Sequence, residues 1–405
     1  MSAIRNYAVV TLFYWGFTVT DGALRMLVLL YFHTLGYTPL QLAFLFLFYE
    51  FFGVITNLFG GWIASRMGLK FTLFSGIILQ IVALLALSNI DNDWELTFSV
   101  IYVMATQALS GIAKDLTKMS SKSALKVVVP KESDGLLFQW VSLLTGSKNA
   151  LKGVGFFLGG FLLSILGFVP SLYAMAAGLT IVLFIAVLSL PSEMGKAKSK
   201  PPFSTIFSKS KEINILSAAR FFLFCSRDVW FVVGVPLYLM TKLAWSFEEI
   251  GAFLALWVIG YGIVQSMTPL LLKKLGKTPT GRSAAIWCFL LAFIPIGIII
   301  AIYMEIDASI VIIAGLIIFG LFFAINSAIH SFLILDYSDG DKVALNVGFY
   351  YMANAGGRLL GTLLSGLLYQ ISGVEGCLVL SGILLFFSAL VAFRLPKEHN
   401  SSGSK

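Results

Sequence analysis

Long apolar runs, each about the length needed to cross a lipid bilayer, constrain the fold of this chain more than any other feature. A membrane-spanning helix needs about 20 mostly apolar residues. Twelve runs qualify, at 7–32, 39–64, 71–89, 96–118, 136–166, 168–190, 213–240, 247–272, 284–304, 308–335, 343–370 and 375–394. The alternating pattern of membrane β-strands is absent. The sequence therefore predicts an all-α membrane protein with twelve transmembrane helices.

Composition supports the same class. Of the 405 residues, 58% are hydrophobic and 12% are charged, whereas a soluble domain has roughly 25% charged residues. So few charges exclude a soluble enzyme, a disordered chain and a nucleic-acid-binding protein, although the formal net charge is +8. The cysteines Cys225, Cys288 and Cys377 lie inside apolar runs, without the spacing of a metal site or a disulfide framework. We expect no metal, no cofactor and no enzymatic activity.

Basic residues predict the orientation in the membrane. The loops after the even-numbered runs are rich in lysine and arginine, and the alternate loops are mainly acidic. Cytoplasmic loops carry an excess of these bases, so we expect both termini to be cytoplasmic. The first run is too long for a cleaved signal segment and is expected to remain as the first span.

The two halves of the chain are similar at an offset of about 207 residues. Asp21 corresponds to Asp228, and Lys152 followed by Gly155 corresponds to Arg358 followed by Gly361. Repeats of this kind are common in transporters. They predict a first six-helix bundle at 1–191, a cytoplasmic linker at 192–212, a second bundle at 213–396 and a cytoplasmic tail at 397–405.

Charged residues near the middle of the apolar runs mark candidate functional positions, because a charge inside a bilayer is costly. The bases are Arg25, Lys148, Lys152, Arg220, Arg227 and Arg358, the acids are Asp21, Glu50 and Asp228, and the neutral polar residues include Asn326, His330 and Asn354.

Several interpretations of these residues stay open. Asp21 and Arg25 form a structural ion pair or belong to a site, and Asp228 neutralises Arg227 or Arg220. Glu50 pairs with a base or carries a proton, while His330 is a packed imidazole or contacts substrate.

The bases outnumber the acids, and a buried base without a counter-ion is costly, so we expect an external anion to complete the site. The predicted substrate-binding residues are Arg25, Lys118, Lys148, Lys152, Arg220, Arg227, His330, Asn354 and Arg358. The predicted charge-pairing or proton-coupling residues are Asp21, Glu50 and Asp228. Lys114 and Lys118 are expected to begin an electropositive funnel, while Lys122 and Lys126 reflect topology.

The stretch 61–70, Gly-Trp-Ile-Ala-Ser-Arg-Met-Gly-Leu-Lys, resembles the loop signature of the major facilitator superfamily. Arg66, Gly68 and Lys70 fit the signature as a gating loop, whereas Ser65 replaces its Asp and Leu69 its second Arg. The resemblance implies two six-helix bundles that work by alternating access.

Longer segments resemble one branch of that superfamily, the organoarsenical efflux permeases called ArsJ. These segments are 14–25, 44–53, 110–122, 145–155, 219–230 and 256–265. The resemblance implies a bacterial inner-membrane carrier that gives arsenate resistance. It also implies a partnership with a glyceraldehyde-3-phosphate dehydrogenase, which makes 1-arseno-3-phosphoglycerate for export.

Two alternative functions remain, an organophosphate/phosphate exchanger and a non-transporting membrane sensor. We expect a monomer in the lipid bilayer, with export driven mainly by the membrane potential rather than by proton exchange.

Overall fold

The computed structural model describes residues 2–67, 69–91, 93–128, 134–190, 210–274, 279–337 and 343–396. This part of the chain is almost entirely helical. Its helices are α1 (Ser2–Thr34), α2 (Pro39–Leu45), α3 (Leu47–Met67), α4 (Leu69–Leu87), α5 (Leu96–Val128), α6 (Asp134–Leu166), α7 (Phe168–Ser189), α8 (Lys211–Phe231), α9 (Gly234–Thr241), α10 (Phe247–Lys274), α11 (Gly281–Tyr303), α12 (Ala308–Asp336) and α13 (Val343–Ala392).

The helices account for the apolar runs, and the predicted all-α membrane fold is confirmed. Ten helical stretches in the described residues are long and apolar enough to cross a membrane. The last, Asn346–Ala392, has 47 residues and includes a kink at Gly373, where φ is +65°. It therefore holds the eleventh and twelfth predicted spans. The first predicted span corresponds to α1, which carries Asp21 and Arg25.

Two predicted spans are each divided into two helices. The second is divided at Phe46, between α2 and α3. The seventh is divided at Val232 and Val233, between α8 and α9. Pro236 has no N–H, and its ring excludes a regular helix four residues earlier. The backbone N–H groups of Val233 and Gly234 instead donate to Ser365 Oγ at 3.2 and 3.1 Å.

The chain forms two compact units. Unit 1 comprises Met1–Ser204 and Trp245–Ile259, and unit 2 comprises Thr205–Ala244 and Gly260–Lys405. Residues 191–209, most of the predicted linker, and 397–405, the predicted tail, lie outside the described residues. The domain boundaries given above therefore stay predictions.

Glycines bring helix backbones together at the repeated positions. In unit 1, a Cβ on Gly155 of α6 would lie 2.4 Å from the Val19 carbonyl oxygen of α1. In unit 2, a Cβ on Gly361 of α13 would lie 2.8 Å from the Cys225 carbonyl oxygen of α8. Small residues permit such close crossings within a membrane. The sequence repeat thus corresponds to one packing contact that occurs in both units.

Candidate functional site

Unit 1 contains a buried ionic network on α1, α3 and α5. The Arg25 guanidinium donates to Glu50 Oε1 at 2.8 Å, and the Glu50 side chain has no exposed surface. Arg25 also lies over the rings of Phe46 and Tyr49, each 5.3 Å away. Phe46 and Glu50 are one helical turn apart, and both lie against Arg25. The arginine is therefore held by one carboxylate and two rings.

Lys114 of α5 extends this network to a second buried carboxylate. Its Nζ lies 3.9 Å from Glu50 Oε2 and 3.8 Å from Asp115 Oδ2. It also lies 3.9 Å from the centre of the Tyr49 ring. Asp115, which has no exposed side-chain surface, accepts a 2.5 Å hydrogen bond from Lys118 Nζ. Two lysines and two carboxylates thus connect α3 with α5.

The contact of Asp21 differs from the Asp21–Arg25 pair considered from the sequence. Tyr49 OH donates to Asp21 Oδ1 at 2.6 Å, and Arg25 is bonded to Glu50. We call the six charged residues of this network the first-unit cluster. Its bases are Arg25, Lys114 and Lys118, and its acids are Asp21, Glu50 and Asp115. With all of them ionised, the first-unit cluster is neutral.

Unit 2 contains a smaller cluster with more bases than acids. Asp228 of α8 is fully buried. Its Oδ1 accepts a 2.6 Å hydrogen bond from Arg227 Nε, and its Oδ2 lies 3.2 Å from Arg358 Nε of α13. One carboxylate therefore faces two guanidinium groups, which leaves one positive charge in excess.

Arg220, also on α8, has a different environment. Only 4% of the residue is exposed. Its Nε donates to Asn354 Oδ1 at 2.9 Å, and its Nη1 donates to Ser327 Oγ at 3.0 Å. Among the described residues, no carboxylate lies within 4.0 Å of this guanidinium. The groups that accept hydrogen bonds from this cation are neutral.

Ser327 of α12 joins further residues to Arg220. Its Oγ also accepts hydrogen bonds from Tyr261 OH at 3.1 Å and from Gln265 Nε2 at 3.3 Å. Tyr261 and Gln265 lie one turn apart on α10. Sequence reasoning missed these three residues because a search for charge passes over neutral side chains. It also missed Asp115, whose signal was the Lys-Asp-x-x-Lys spacing at 114–118.

The other predicted site residues differ in how deeply they are buried and in what they contact. Lys148 and Lys152 of α6 are half-exposed, and Lys152 Nζ lies 5.6 Å from the Phe156 ring centre. His330 is fully buried, and neither ring nitrogen has a hydrogen-bond partner in the described part of the chain. Lys70 Nζ donates to the Leu190 carbonyl oxygen at 2.9 Å.

The remaining predicted residues lie largely outside the part of the chain that the structure describes. Gly68 and the side chains of Arg66, Lys122 and Lys126 lie outside the described residues. Within the described ranges, no group of three or more His, Cys, Asp or Glu side chains is placed to hold a metal ion.

The chain was compared with curated proteins and with solved structures. A search of curated proteins gives no match. A POT family transporter, solved in complex with a thioalcohol conjugated peptide, is similar with a TM-score of 0.75 and 14% identity, over 96% of this chain and 95% of that one. A D-xylose-proton symporter is similar with a TM-score of 0.72 and 12% identity, over 98% of both chains.

A third structure is a bacterial homologue of the iron transporter ferroportin in the inward-facing state. It has a TM-score of 0.69 and 16% identity, over 96% of this chain and 98% of that one. At these identities the likeness shows the fold alone. The sequence profile of the Major Facilitator Superfamily matches residues 8–232 and 216–405. The chain belongs to the major facilitator superfamily and is a multi-pass membrane transporter of that type.

Proposed function

We propose that this transporter exports a multiply charged organoarsenical anion, 1-arseno-3-phosphoglycerate, across the bacterial inner membrane by alternating access, and so gives arsenate resistance. The observation that supports an anionic substrate is an excess of positive charge among the charged residues of the two ionic clusters and of the middle of the spans. The bases are Arg25, Lys114, Lys118, Lys148, Lys152, Arg220, Arg227 and Arg358, and the acids are Asp21, Glu50, Asp115 and Asp228. With all of them ionised, the bases exceed the acids by four.

The positions of the excess charge support this proposal. The first-unit cluster is neutral in itself. Outside that cluster, the remaining bases of this set are Lys148 and Lys152 in unit 1 and Arg220, Arg227 and Arg358 in unit 2, and the remaining acid is Asp228. Uncompensated charge in a low-dielectric interior is costly. An anionic substrate would offset part of this excess of basic residues.

The types of side chain fit phosphate-like groups. An arginine fork makes two parallel hydrogen bonds to a phosphate, and a lysine supplies a compact charge. Both types occur among these bases, with the arginines on α8 and α13 and the lysines on α6. Arsenate has the same tetrahedral shape as phosphate, so the same donors serve both ends of the substrate.

The specific substrate comes from the resemblance to the ArsJ permeases rather than from charge. That resemblance also supports the partnership with a glyceraldehyde-3-phosphate dehydrogenase and the inner-membrane location. Both cytoplasmic termini and a monomeric state belong to the same proposal, the former because of the basic alternate loops.

An organophosphate/phosphate exchanger is the second candidate, because the same surplus of bases would bind its substrates. A non-transporting sensor is the third. These candidates differ in what crosses the membrane, so a flux assay separates them.

Everted membrane vesicles that contain the protein would be incubated with radiolabelled anions, with and without the dehydrogenase and its substrates. We expect uptake only when arsenate and the active dehydrogenase are present together. Vesicles that lack the protein, and reactions with heat-inactivated dehydrogenase, are the controls. Phosphate exchange without arsenate would support the second candidate, and no flux of any tested anion would favour a sensor.

A further inference from the structure

Three hydrogen-bond donors from two helices meet at one hydroxyl oxygen in unit 2. Ser327 Oγ accepts from Arg220 Nη1 at 3.0 Å, from Tyr261 OH at 3.1 Å and from Gln265 Nε2 at 3.3 Å. Ser327 has no exposed surface, and Arg220 and Tyr261 are 4% and 9% exposed. Water is thus largely excluded from the point where the donors converge.

This oxygen is a poor match for the donors around it. A serine hydroxyl has two lone pairs and one proton of its own. Three donors therefore exceed its accepting capacity. One donor belongs to a charged guanidinium, and hydrogen bonds between charged partners are stronger than those to a neutral oxygen. An acceptor with more lone pairs and a negative charge would satisfy the donors better.

The surroundings hold Arg220 in place without neutralising it. The guanidinium carbon lies 4.1 Å from the Phe224 ring centre and 5.1 Å from the Tyr350 ring centre. Asn354 accepts from Nε, so this side of the guanidinium is already fixed. Rings and an amide orient the cation, but they supply no negative charge. The side chain is preorganised for an anion.

We propose that Arg220, Tyr261 and Gln265 bind a tetrahedral oxyanion, and that Ser327 Oγ holds these donors together while the site is empty. The oxyanion is a phosphate or arsenate group of the transported molecule. This inference rests on the proposed function only in taking the substrate to be an anion. It adds Tyr261, Gln265 and Ser327 as residues that determine specificity, since two uncharged donors recognise acceptor geometry rather than charge.

The roles predict opposite effects for donor and acceptor substitutions. Tyr261→Phe and Gln265→Met each remove one donor, and each is expected to weaken oxyanion binding about tenfold, the value of one hydrogen bond to a charged group. Ser327→Ala removes the acceptor that competes with the ligand. It is expected to tighten binding by about threefold, whereas a purely structural serine would leave the affinity unchanged or weaken it.

Isothermal titration of the full chain in lipid nanodiscs tests this directly. The probes are inorganic phosphate and arsenate, with chloride as the monovalent spherical comparison. Tyr369→Phe and Ser381→Ala are matched controls in unit 2, since their hydroxyls bond Thr241 Oγ and the Ser226 carbonyl oxygen. Both controls are expected to keep wild-type affinity. Gln265→Glu is a further variant, because a carboxylate at this half-exposed position should abolish oxyanion binding.

Phosphate and arsenate are expected to bind the wild-type chain, and chloride is not. Wild-type affinity in Tyr261→Phe, Gln265→Met or Gln265→Glu, or unchanged or weaker binding in Ser327→Ala, would overturn the site. Failure of the wild-type chain to bind either oxyanion would also overturn it. The proposed function is decided separately, by the dehydrogenase-dependent vesicle flux.

Discussion

Lys152 and Arg358 are basic residues at matching positions of the two units, three residues before Gly155 and Gly361. Replacing either by Gln should abolish arsenate resistance, because each removes a positive charge of the proposed substrate-binding set while the Arg227–Asp228 contact remains. Growth on arsenate measures the effect, and immunoblotting of membranes checks expression. Lys242→Gln, at an exposed position after α9, is the matched control and should retain resistance. Full resistance in both variants would contradict an anion-binding role.

The contact between Arg25 and Glu50 distinguishes structural pairing from proton transfer. Glu50→Gln leaves the buried Arg25 without its nearest counter-ion, and loss of one partner of a buried pair costs about 3–5 kcal/mol. The double variant Arg25→Gln/Glu50→Gln should recover part of this loss, because it leaves no arginine charge buried at this position without its carboxylate. Chemical denaturation of the protein in detergent micelles measures both values. Equal stability of Glu50→Gln and the wild type would show that the pair has no structural role.

The helices could be predicted from the sequence, because the length of an apolar run depends only on residues that are neighbours in the chain. The breaks within the second and seventh spans could not be predicted in this way. Pro236 was visible, but Ser365, which takes up the N–H groups of Val233 and Gly234, is more than a hundred residues away. The pairing of Arg25 with Glu50 likewise depends on which faces of α1 and α3 meet, and the sequence alone does not determine this. Sequence reasoning located most of the charged residues of the site, but it identified few of the contacts among them.

Helices α1 and α6 cross closely at Gly155, so a change at this residue affects the packing of two whole helices. Gly155→Ala would bring a methyl group to about 2.4 Å from the Val19 carbonyl oxygen, so the helices must separate. Overpacking of this kind costs about 1–3 kcal/mol.

Thermal unfolding of the purified chain measures the effect. Gly178→Ala on α7 is the matched control, because nothing lies within 4 Å of its added Cβ. A melting temperature lowered equally in both variants, or in neither, would contradict the proposed close packing at Gly155.

At the scale of the whole molecule, export of a polyanion gains energy from a cell interior that is electrically negative. Each charge that moves outward gains about 2.3 kcal/mol per 100 mV, so three charges gain about 7 kcal/mol. We therefore expect uptake by energised everted vesicles to fall sharply when valinomycin and potassium abolish the potential while a pH gradient is kept. Undiminished uptake under these conditions would contradict export driven by the membrane potential and would favour proton exchange.

The proposed substrate of the basic residues in the spans carries both an arsenate and a phosphate group. The most direct test is the ratio of arsenic to phosphorus that accumulates in everted vesicles supplied with arsenate, the dehydrogenase and its substrates, measured by mass spectrometry of the elements after rapid filtration. Because the proposed ester contains one atom of each, we predict protein-dependent accumulation of arsenic and phosphorus in equal amounts. Accumulation of arsenic without phosphorus, or of phosphorus without arsenic, would contradict a substrate that contains both elements.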